Sequence, residues 1–314
     1  MAELIQLKGV TKEYKKNTVL EDVSLTIEEG DLYGIVGMSG SGKTTLLNLI
    51  SGFLEPSSGK VLFHTSINEE LRDLNKNLKM FKKDIGFTPQ HNSFYHKLTV
   101  NENLWHFGSL YKLRKETLAE NIKNLLEVTH LSDHKHKLAD QLSGGMQKRL
   151  DISCSLVHKP KLLILDEPTA DLDPILQAEI MTLLQGVNKQ GITVVFASHH
   201  LDSVERVCNK VAIVHHGKVE NAGLLETLRN SNSPDHFTIN IKSEDNKEEI
   251  INRLKELPVK KIVDKGSSLI IYPKNVNKIM DQLLTFIEEE NLHLKAMDVR
   301  KPSLSEIFEK IAKE

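Results

Sequence analysis

Residues 31–51 read DLYGIVGMSGSGKTTLLNLIS. The stretch opens on LYGIV, a short apolar run after Gly30-Asp31, a pair that punctuates like a turn. It closes on TLLNLIS, a helical pattern stopped by Gly52. Between them lies GMSGSGKT, residues 37–44, which satisfies G-x-x-x-x-G-K-[ST] in full. Strand, glycine-rich loop and helix in that order build a cradle for anionic oxygens. Glycines 37, 40 and 42 let the backbone wrap phosphate, Lys43 reaches the β- and γ-phosphates, and the Thr44 hydroxyl is placed to ligate Mg²⁺. A plain Gly/Ser turn would need neither flank, and both are present.

Two further stretches complement the cradle. LLILDEP (162–168) puts four apolar residues before Asp166, which places that carboxylate at the end of a buried strand, where ligands sit in α/β sheets. Asp166 would hold the metal directly or through water, and the adjacent Glu167 would polarise an attacking water. QLSGGMQKR (141–149) precedes the apolar-periodic DISCSLV and reads as a helix start capped by Ser143. Gly144 and Gly145 leave its amides bare, so this is a second anion site. Read alone, it is equally well a plain cap with a glycine-rich turn.

Outward from these motifs, strands alternate with helices. LIQLKGV, TVLEDVSLTIEEG and DLYGIVG read as strands. After the turn EPSSG come the strand KVLF, a polar helix over 68–84, the strand IGFTPQ, and two helices within 99–130. PILQAEIMTLLQGVNKQ, ITVVFAS, LDSVERVC and KVAIVHHGKV read as helix, strand, helix and hairpin. Continuous runs such as LLIL and TVVF predict a sheet buried on both faces. Composition shifts at 229–235, RNSNSPD, which reads as a linker. Beyond it the order is βαββαβ, a ferredoxin-like pattern. A last helix begins at Ser303, where Ser303 and Glu306 have capping-box spacing.

Composition sets limits. The 314 residues are 39% hydrophobic and 27% charged, with formal net charge −2. No basic excess argues for nucleic acid. Cys154 and Cys208 show no CxxC spacing and read as buried reduced thiols. The first residues lack an apolar signal core, and no apolar run of about 18 residues predicts a membrane span. The histidine pairs in HKH (134–136) and HH (215–216) read as solvated surface, as does the basic cluster LKMFKKD at 78–84.

With GMSGSGKT, LSGGMQ (142–147) and LILDEP (163–168) in this order, residues 3–228 resemble the ATP-binding subunits of ABC transporters. LSGGQ-like loops are that family's own mark, and here only Met146 intervenes before the glutamine. The resemblance implies an α/β P-loop NTPase fold over 1–228, with a helical subdomain about 91–158, the linker 229–235, and a small C-terminal α+β domain over 236–314. It implies ATP and Mg²⁺ as cofactors and head-to-tail pairing with a second ATPase subunit, as a homodimer. Each ATP would then lie between one chain's phosphate loop and the partner's LSGG helix, so Ser143, Gly144 and Gly145 would act in trans. Family positions also extend the nucleotide set to Ser39, Ser41 and Thr45. Tyr14 resembles the ring that stacks on adenine. Gln90 resembles the loop glutamine that touches Mg²⁺ and the membrane partner. Asp173 matches the loop at the dimer interface, and His199 matches the switch histidine on the γ-phosphate, with His200 as its neighbour. Glu167, His199 and Lys43 form the implied catalytic set.

Trp105, Phe107 and Tyr111 read as core of the helical subdomain. The C-terminal βαββαβ unit, ending in KPSLSEIFEKIAK, resembles the extension on exporter ATPases of the drug, sodium and antibiotic-resistance group. That group pairs with ABC-2-type permeases. The implied protein is cytoplasmic, peripheral on the inner face of the cell membrane, and drives export through a separate permease. The alternative is a non-transport ABC ATPase acting on another macromolecular partner. Relatives in translation carry two cassettes, and those in DNA repair insert long coiled coils that 45–141 cannot hold. A kinase or switch GTPase with this phosphate loop would not need LSGG.

Overall fold

A computed structural model describes residues 2–15, 17–64, 71–232, 236–241, 247–264, 268–274, 276–289, 294–300 and 303–311. It divides into two compact units, Met1–Leu225 and Glu226–Glu314. In chain order the first unit runs β1 (Glu3–Tyr14), β2 (Asn17–Glu28), β3 (Leu32–Val36), α1 (Lys43–Ile50), β4 (Ser58–His64), β5 (Leu71–Asp73), the one-turn α2 (Leu78–Phe81) and β6 (Ile85–Thr88). It continues with α3 (Val100–Leu110), α4 (Lys115–Val128), α5 (Gly144–Leu156), β7 (Leu162–Asp166), α6 (Pro174–Lys189) and β8 (Thr193–Ser198). The unit closes with α7 (Leu201–Val207), β9 (Lys210–His215) and β10 (Lys218–Leu224), and α8 (Leu225–Asn232) crosses into the second.

Among the described residues the first unit holds two sheets. The larger has order β10-β9-β3-β8-β7-β6, parallel except for β10. Every residue of β3, β7 and β8 is buried, so their unbroken apolar runs are covered on both faces. The smaller sheet, β2-β1-β4-β5, is antiparallel. Its β1 and β2 alternate buried and exposed positions, and the buried set joins one core with Leu46, Leu47 and Ile50 of α1.

Helices α3, α4 and α5 bury a separate core around Leu104, Ile122, Leu126 and Leu150. Thr99 caps α3 with a complete capping box to Glu102. Trp105 and Phe107 pack against this core, while Tyr111 stacks on His158 with ring centroids 3.6 Å apart. Burial pushes the His158 imidazole down to about 4, against the opposing pull of the Ile85 carbonyl. Cys154 and Cys208 are free and buried, and burial raises both thiols.

Two stretches depart from the sequence reading. Of the helix expected over 68–84, residues 68–70 lie outside the described residues. Leu71–Asp73 is instead an edge strand on β4, and only α2 is α-helical. Local side-chain bonds explain this: Asp73 Oδ1 accepts from the amides of Asn75 and Lys76, and Asn77 Nδ2 donates to the Asp73 carbonyl. Such Asx bonds offer the backbone an alternative to a helix. In the expected linker, Arg229–Asn232 forms the end of α8, and 233–235 lie outside the described residues. Leu225 and Leu228 are both buried, three residues apart, and seat that helix.

At the sheet end away from the phosphate loop, a polar clamp ties both sheets. Asp31 is fully buried; its Oδ2 accepts from Lys210 Nζ at 3.1 Å and the Glu28 amide at 2.8 Å, and its Oδ1 accepts from Asn209 Nδ2 at 3.1 Å. Lys210 also donates to Glu28 Oε2 at 2.7 Å. Lys210→Met should destabilise the first unit by about 3 kcal/mol at pH 7, because Asp31 stays buried without its cation. The Lys210 hydrogen bond holds the Glu28 carboxyl below its ordinary 4.5. A depressed carboxyl stabilises the fold above its unfolded pKa and loses that contribution as pH falls through its folded value. The gap between wild type and variant should therefore narrow on acidification below pH 4.5. Urea titrations at pH 7 and pH 4 read this directly, and an unchanged gap would remove the Glu28–Lys210 pair as a contributor.

The second unit contains β11 (His236–Ile241), α9 (Lys247–Leu254), β12 (Val259–Asp264), β13 (Ser268–Pro273), α10 (Val276–Glu289), β14 (Leu294–Arg300) and α11 (Leu304–Ile311). Its strand order, β12-β13-β11-β14, is antiparallel and matches the ferredoxin-like arrangement. Leu254, Leu269, Ile271, Ile279 and Leu283 supply a core of its own. The Ser303–Glu306 capping box forms, with both reciprocal bonds made.

Candidate nucleotide site

The site collects at the carboxyl ends of the parallel strands. β3 delivers the phosphate loop, β7 delivers Asp166 and Glu167, β8 delivers His199, and β6 leads into Gln90. These ends surround a cleft of about 580 Å³, lined by Ser39, Gly40, Gly42, Lys43, Thr44 and Thr45 on one side. Gln90, Glu167 and His199 line the other. Gly42 has φ +106° and caps α1 with no side chain, so the first amides of α1 face the cleft unsatisfied by any cap. Gly37 and Ser41 of the same loop are buried, and the Ser41 hydroxyl has no partner.

Charge is arranged around Glu167. Lys43 is buried; its ammonium donates to the carbonyls of Gly37 (2.9 Å) and Met38 (3.0 Å) and lies 3.7 Å from Glu167 Oε1. Glu167 Oε2 is 2.9 Å from His199 Nδ1 and accepts from the His199 amide at 3.3 Å. Glu167 sits at φ +47°, a left-handed conformation costly for a residue with a Cβ. The bend aims its carboxylate between Lys43 and His199. The His200 ring lies against that of His199, centroids 4.1 Å apart, and the His200 amide donates to the Ser198 hydroxyl.

Asp166 is buried beside it. Burial pushes its carboxyl above the usual range, while a hydrogen bond from Thr44 opposes this. Its Oδ1 is buried without a partner. The unpartnered Asp166 oxygen, next to Thr44, together with the Thr44 hydroxyl and the Gln90 side-chain oxygen that line the cleft, makes a hard-oxygen set that fits Mg²⁺. No group of three or more His, Cys, Asp or Glu side chains among the described residues could hold a metal by itself.

The remaining sequence-derived residues stand outside the cleft lining. Tyr14 ends β1 with its ring exposed and the Lys12 ammonium 5.2 Å from its centroid. Ser143 caps α5, accepting from the Met146 amide at 3.4 Å, and with Gly144 is exposed. Gly145 is buried, and a Cβ there would come within 2.8 Å of Leu176, so that glycine lets α5 approach α6. Asp173 is the N-cap of α6, accepting from the amides of Ile175 and Leu176. His215 and His216, expected on solvated surface, line a smaller cleft with Met38–Ser41. Lys148 is silent in the sequence, one basic residue beside the LSGG turn, yet it is buried at 6% exposure. The one hint is Asp151, three residues on, at the spacing of a helical ion pair.

Comparison with known proteins gives this cleft a family. A family model described as ABC transporter matches residues 20–170, and one described as the C-terminal domain of DrrA1-3-like ATP-binding proteins matches 223–312. YxlF of Bacillus subtilis, described as an uncharacterized ABC transporter ATP-binding protein, is 30% identical over 309 residues, 98% of this chain and 99% of its own. The chain belongs to the ATP-binding subunits of ABC transporters. The linearmycin resistance ATP-binding protein LnrL of the same organism is 31% identical over 69% of this chain and 68% of its own. The methionine import protein MetN of Clostridium acetobutylicum is 36% identical over 72% and 70%. Among solved structures, cbiO1 of Clostridium perfringens aligns with TM-score 0.66 and 29% identity over 82% of this chain and 97% of its own. The dimeric ATP-binding cassette MJ0796, bound to ADP and Pi, aligns with TM-score 0.61 and 31% identity over 71% and 99%. As an ABC ATP-binding subunit the chain binds and hydrolyses ATP, and its kind dimerises and works with a transmembrane permease. No helix among the described residues is long and apolar enough to cross a membrane.

Proposed function

We propose that this subunit powers export through a separate ABC-2-type permease, from the inner face of the cell membrane, as a homodimer paired head to tail. Residues 1–228 would be the catalytic cassette, with 91–158 as its helical subdomain, and 236–314 an accessory domain. The observation that carries the export reading is the second unit. Its strand order and the DrrA1-3-like match over 223–312 support this reading, because the sequence of this unit resembles the extension on exporter ATPases. YxlF matches along both units, whereas the MetN similarity spans 227 residues, about the length of the first.

In the cassette, Lys43 and the amides of Ser39, Gly40, Ser41, Gly42, Thr44 and Thr45 bind the phosphates, and Tyr14 stacks on adenine. Thr44, Asp166 and Gln90 would hold Mg²⁺, which supplies charge neutralisation on the β- and γ-phosphates when bound. Glu167 takes the proton of the attacking water, and His199 holds the γ-phosphate and that water in register. The partner's LSGG loop closes the site through Ser143, Gly144 and Gly145, while Asp173 meets the partner across the interface.

The permease has a candidate seat. A groove of about 530 Å³ between β6 and α3 is floored by Phe53, Phe87, Phe107 and Tyr111 and rimmed by Lys79, Lys82, Lys83 and Lys112. No acidic side chain among the described residues lines it, which suits an apolar segment bearing carboxylates. Two measurements test this reading. A panel of antibiotics should accumulate, ATP-dependently for at least one member, in inside-out vesicles carrying the complex; uptake only into right-side-out vesicles would reverse the direction. Lys82→Glu with Lys83→Glu should release the subunit from membranes while ATP still binds in solution. Full retention on membranes would move the docking surface elsewhere.

A further inference from the structure

Helix α5 starts at the Ser143 cap and holds the loop that carries Gln90. Gln147 Oε1 accepts from Asn92 Nδ2 at 3.3 Å, Lys148 Nζ donates to the Gln90 carbonyl at 3.2 Å, and Asp151 Oδ1 accepts from the Ser93 amide and hydroxyl at 2.9 and 2.6 Å. Of these, Lys148 is the costly member. It is 6% exposed and makes none of the ion pairs found among the described residues. Burying an ammonium without a paired carboxylate works against the fold.

Its surroundings are acidic all the same. Burial disfavours the charged form, and Asp151, Asp171 and Asp166 counter it through the field. Two of those carboxylates each keep a buried oxygen with no partner, Asp151 Oδ2 and Asp166 Oδ1. A lysine has three donors, and the Gln90 carbonyl uses one. The ammonium thus ties α5 to the Gln90 backbone within an acidic surround.

We propose that Lys148 is a positioning residue for hydrolysis: it pins the Gln90 loop to α5 and so sets the Gln90 side chain where the reacting phosphate and its water are ordered. This rests on the roles proposed above for Gln90 and Asp166. The reason a lysine does this is reach combined with charge. Its stem reaches from α5 to the Gln90 loop, and its head satisfies that backbone carbonyl within an acidic surround.

The test uses the full chain and separates positioning from packing. Lys148→Met keeps the stem and removes the ammonium, so the melting temperature should hold or rise. Turnover should fall about tenfold or more, because small misplacements near reacting atoms cost rate steeply, while the ATP KM moves less than about twofold. Amides of residues 90–93 should exchange faster with deuterium. Lys148→Arg, which restores a donor and the charge, should recover most of kcat. Turnover within about twofold of wild type in Lys148→Met would overturn the proposal, and so would a loss of kcat accompanied by weaker ATP binding and a lower melting temperature. Asp166→Asn serves as the control. If it turns over normally, the role assigned to Asp166 fails by itself, whatever Lys148→Met does.

Discussion

Glu167→Gln should nearly stop hydrolysis, by roughly 10²–10⁴-fold, while ATP binding persists. The amide keeps the carboxylate's shape, and the left-handed backbone at φ +47° suits Gln no worse than Glu. What is lost is the base. The oxygen 2.9 Å from His199 Nδ1 would no longer carry the negative charge that takes a proton from water. What is gained is electrostatic: Lys43, now 3.7 Å from a carboxylate, would face a neutral group and be freer to meet the γ-phosphate. Affinity for ATP should therefore hold or tighten. Because hydrolysis is the step that opens a closed pair, the ATP-bound dimer should accumulate. Light scattering with ATP reads the dimer, and a fluorescent nucleotide reads binding. Only monomer, in the presence of firm ATP binding, would remove the head-to-tail closure. Near-normal turnover would remove Glu167 as the base and leave His199 as the group to test next.

Much of this site is legible because its chemistry is local in sequence. The phosphate loop works through consecutive backbone amides between β3 and α1, so eight letters carry it. LLILDEP announces Asp166 and Glu167 because a buried strand has to end where its acids begin. The bonds that fix those groups are another matter. Lys43 spans only a few residues to Gly37 and Met38, but Glu167 meets His199 across 32 positions and Lys148 meets Gln90 across 58. Neither end of such a pair marks the other. Asp31 and Lys210 lie 179 positions apart, and neither marks the other.

The fold shows the same division. β3, β7 and β8 were plain as unbroken apolar runs, since strands covered on both faces need no polar alternation. Leu71–Asp73 gave no such sign, because an edge strand of three residues carries too little pattern to outweigh the polar, helix-like residues around it. The end of α8 was hidden by composition: Arg229–Asn232 is polar, and only Leu225 and Leu228 mark the helix. Ser143 and Asp173 stand as helix caps in a single chain, and caps they would be with or without a partner. Their further roles belong to an assembly, and a variant pair reaches those roles.

Lys43→Ala and Ser143→Arg should both abolish hydrolysis, yet for different reasons. Lys43→Ala removes a cation from the cleft in the same chain, so nucleotide affinity should fall roughly 10–100-fold, the worth of one charge-assisted hydrogen bond. Ser143 is outside the cleft lining and exposed at the start of α5, so Ser143→Arg should leave that affinity almost unchanged. Its own cost to the fold is small, one long cap bond of 3.4 Å. The arginine would instead fill the space that the partner's γ-phosphate needs. Mixing the two inactive proteins then becomes the decisive measurement. In a head-to-tail pair, one of the two sites in a mixed dimer joins an intact Lys43 to an intact Ser143, while the other site combines both lesions. Random pairing of equal amounts should restore roughly a quarter of wild-type turnover if the two sites act independently. A cis role for LSGG predicts the opposite, since every chain in the mixture would carry its own defect. Equal loss of nucleotide affinity in both variants, with no recovery on mixing, would place the second cradle in the same site as the first.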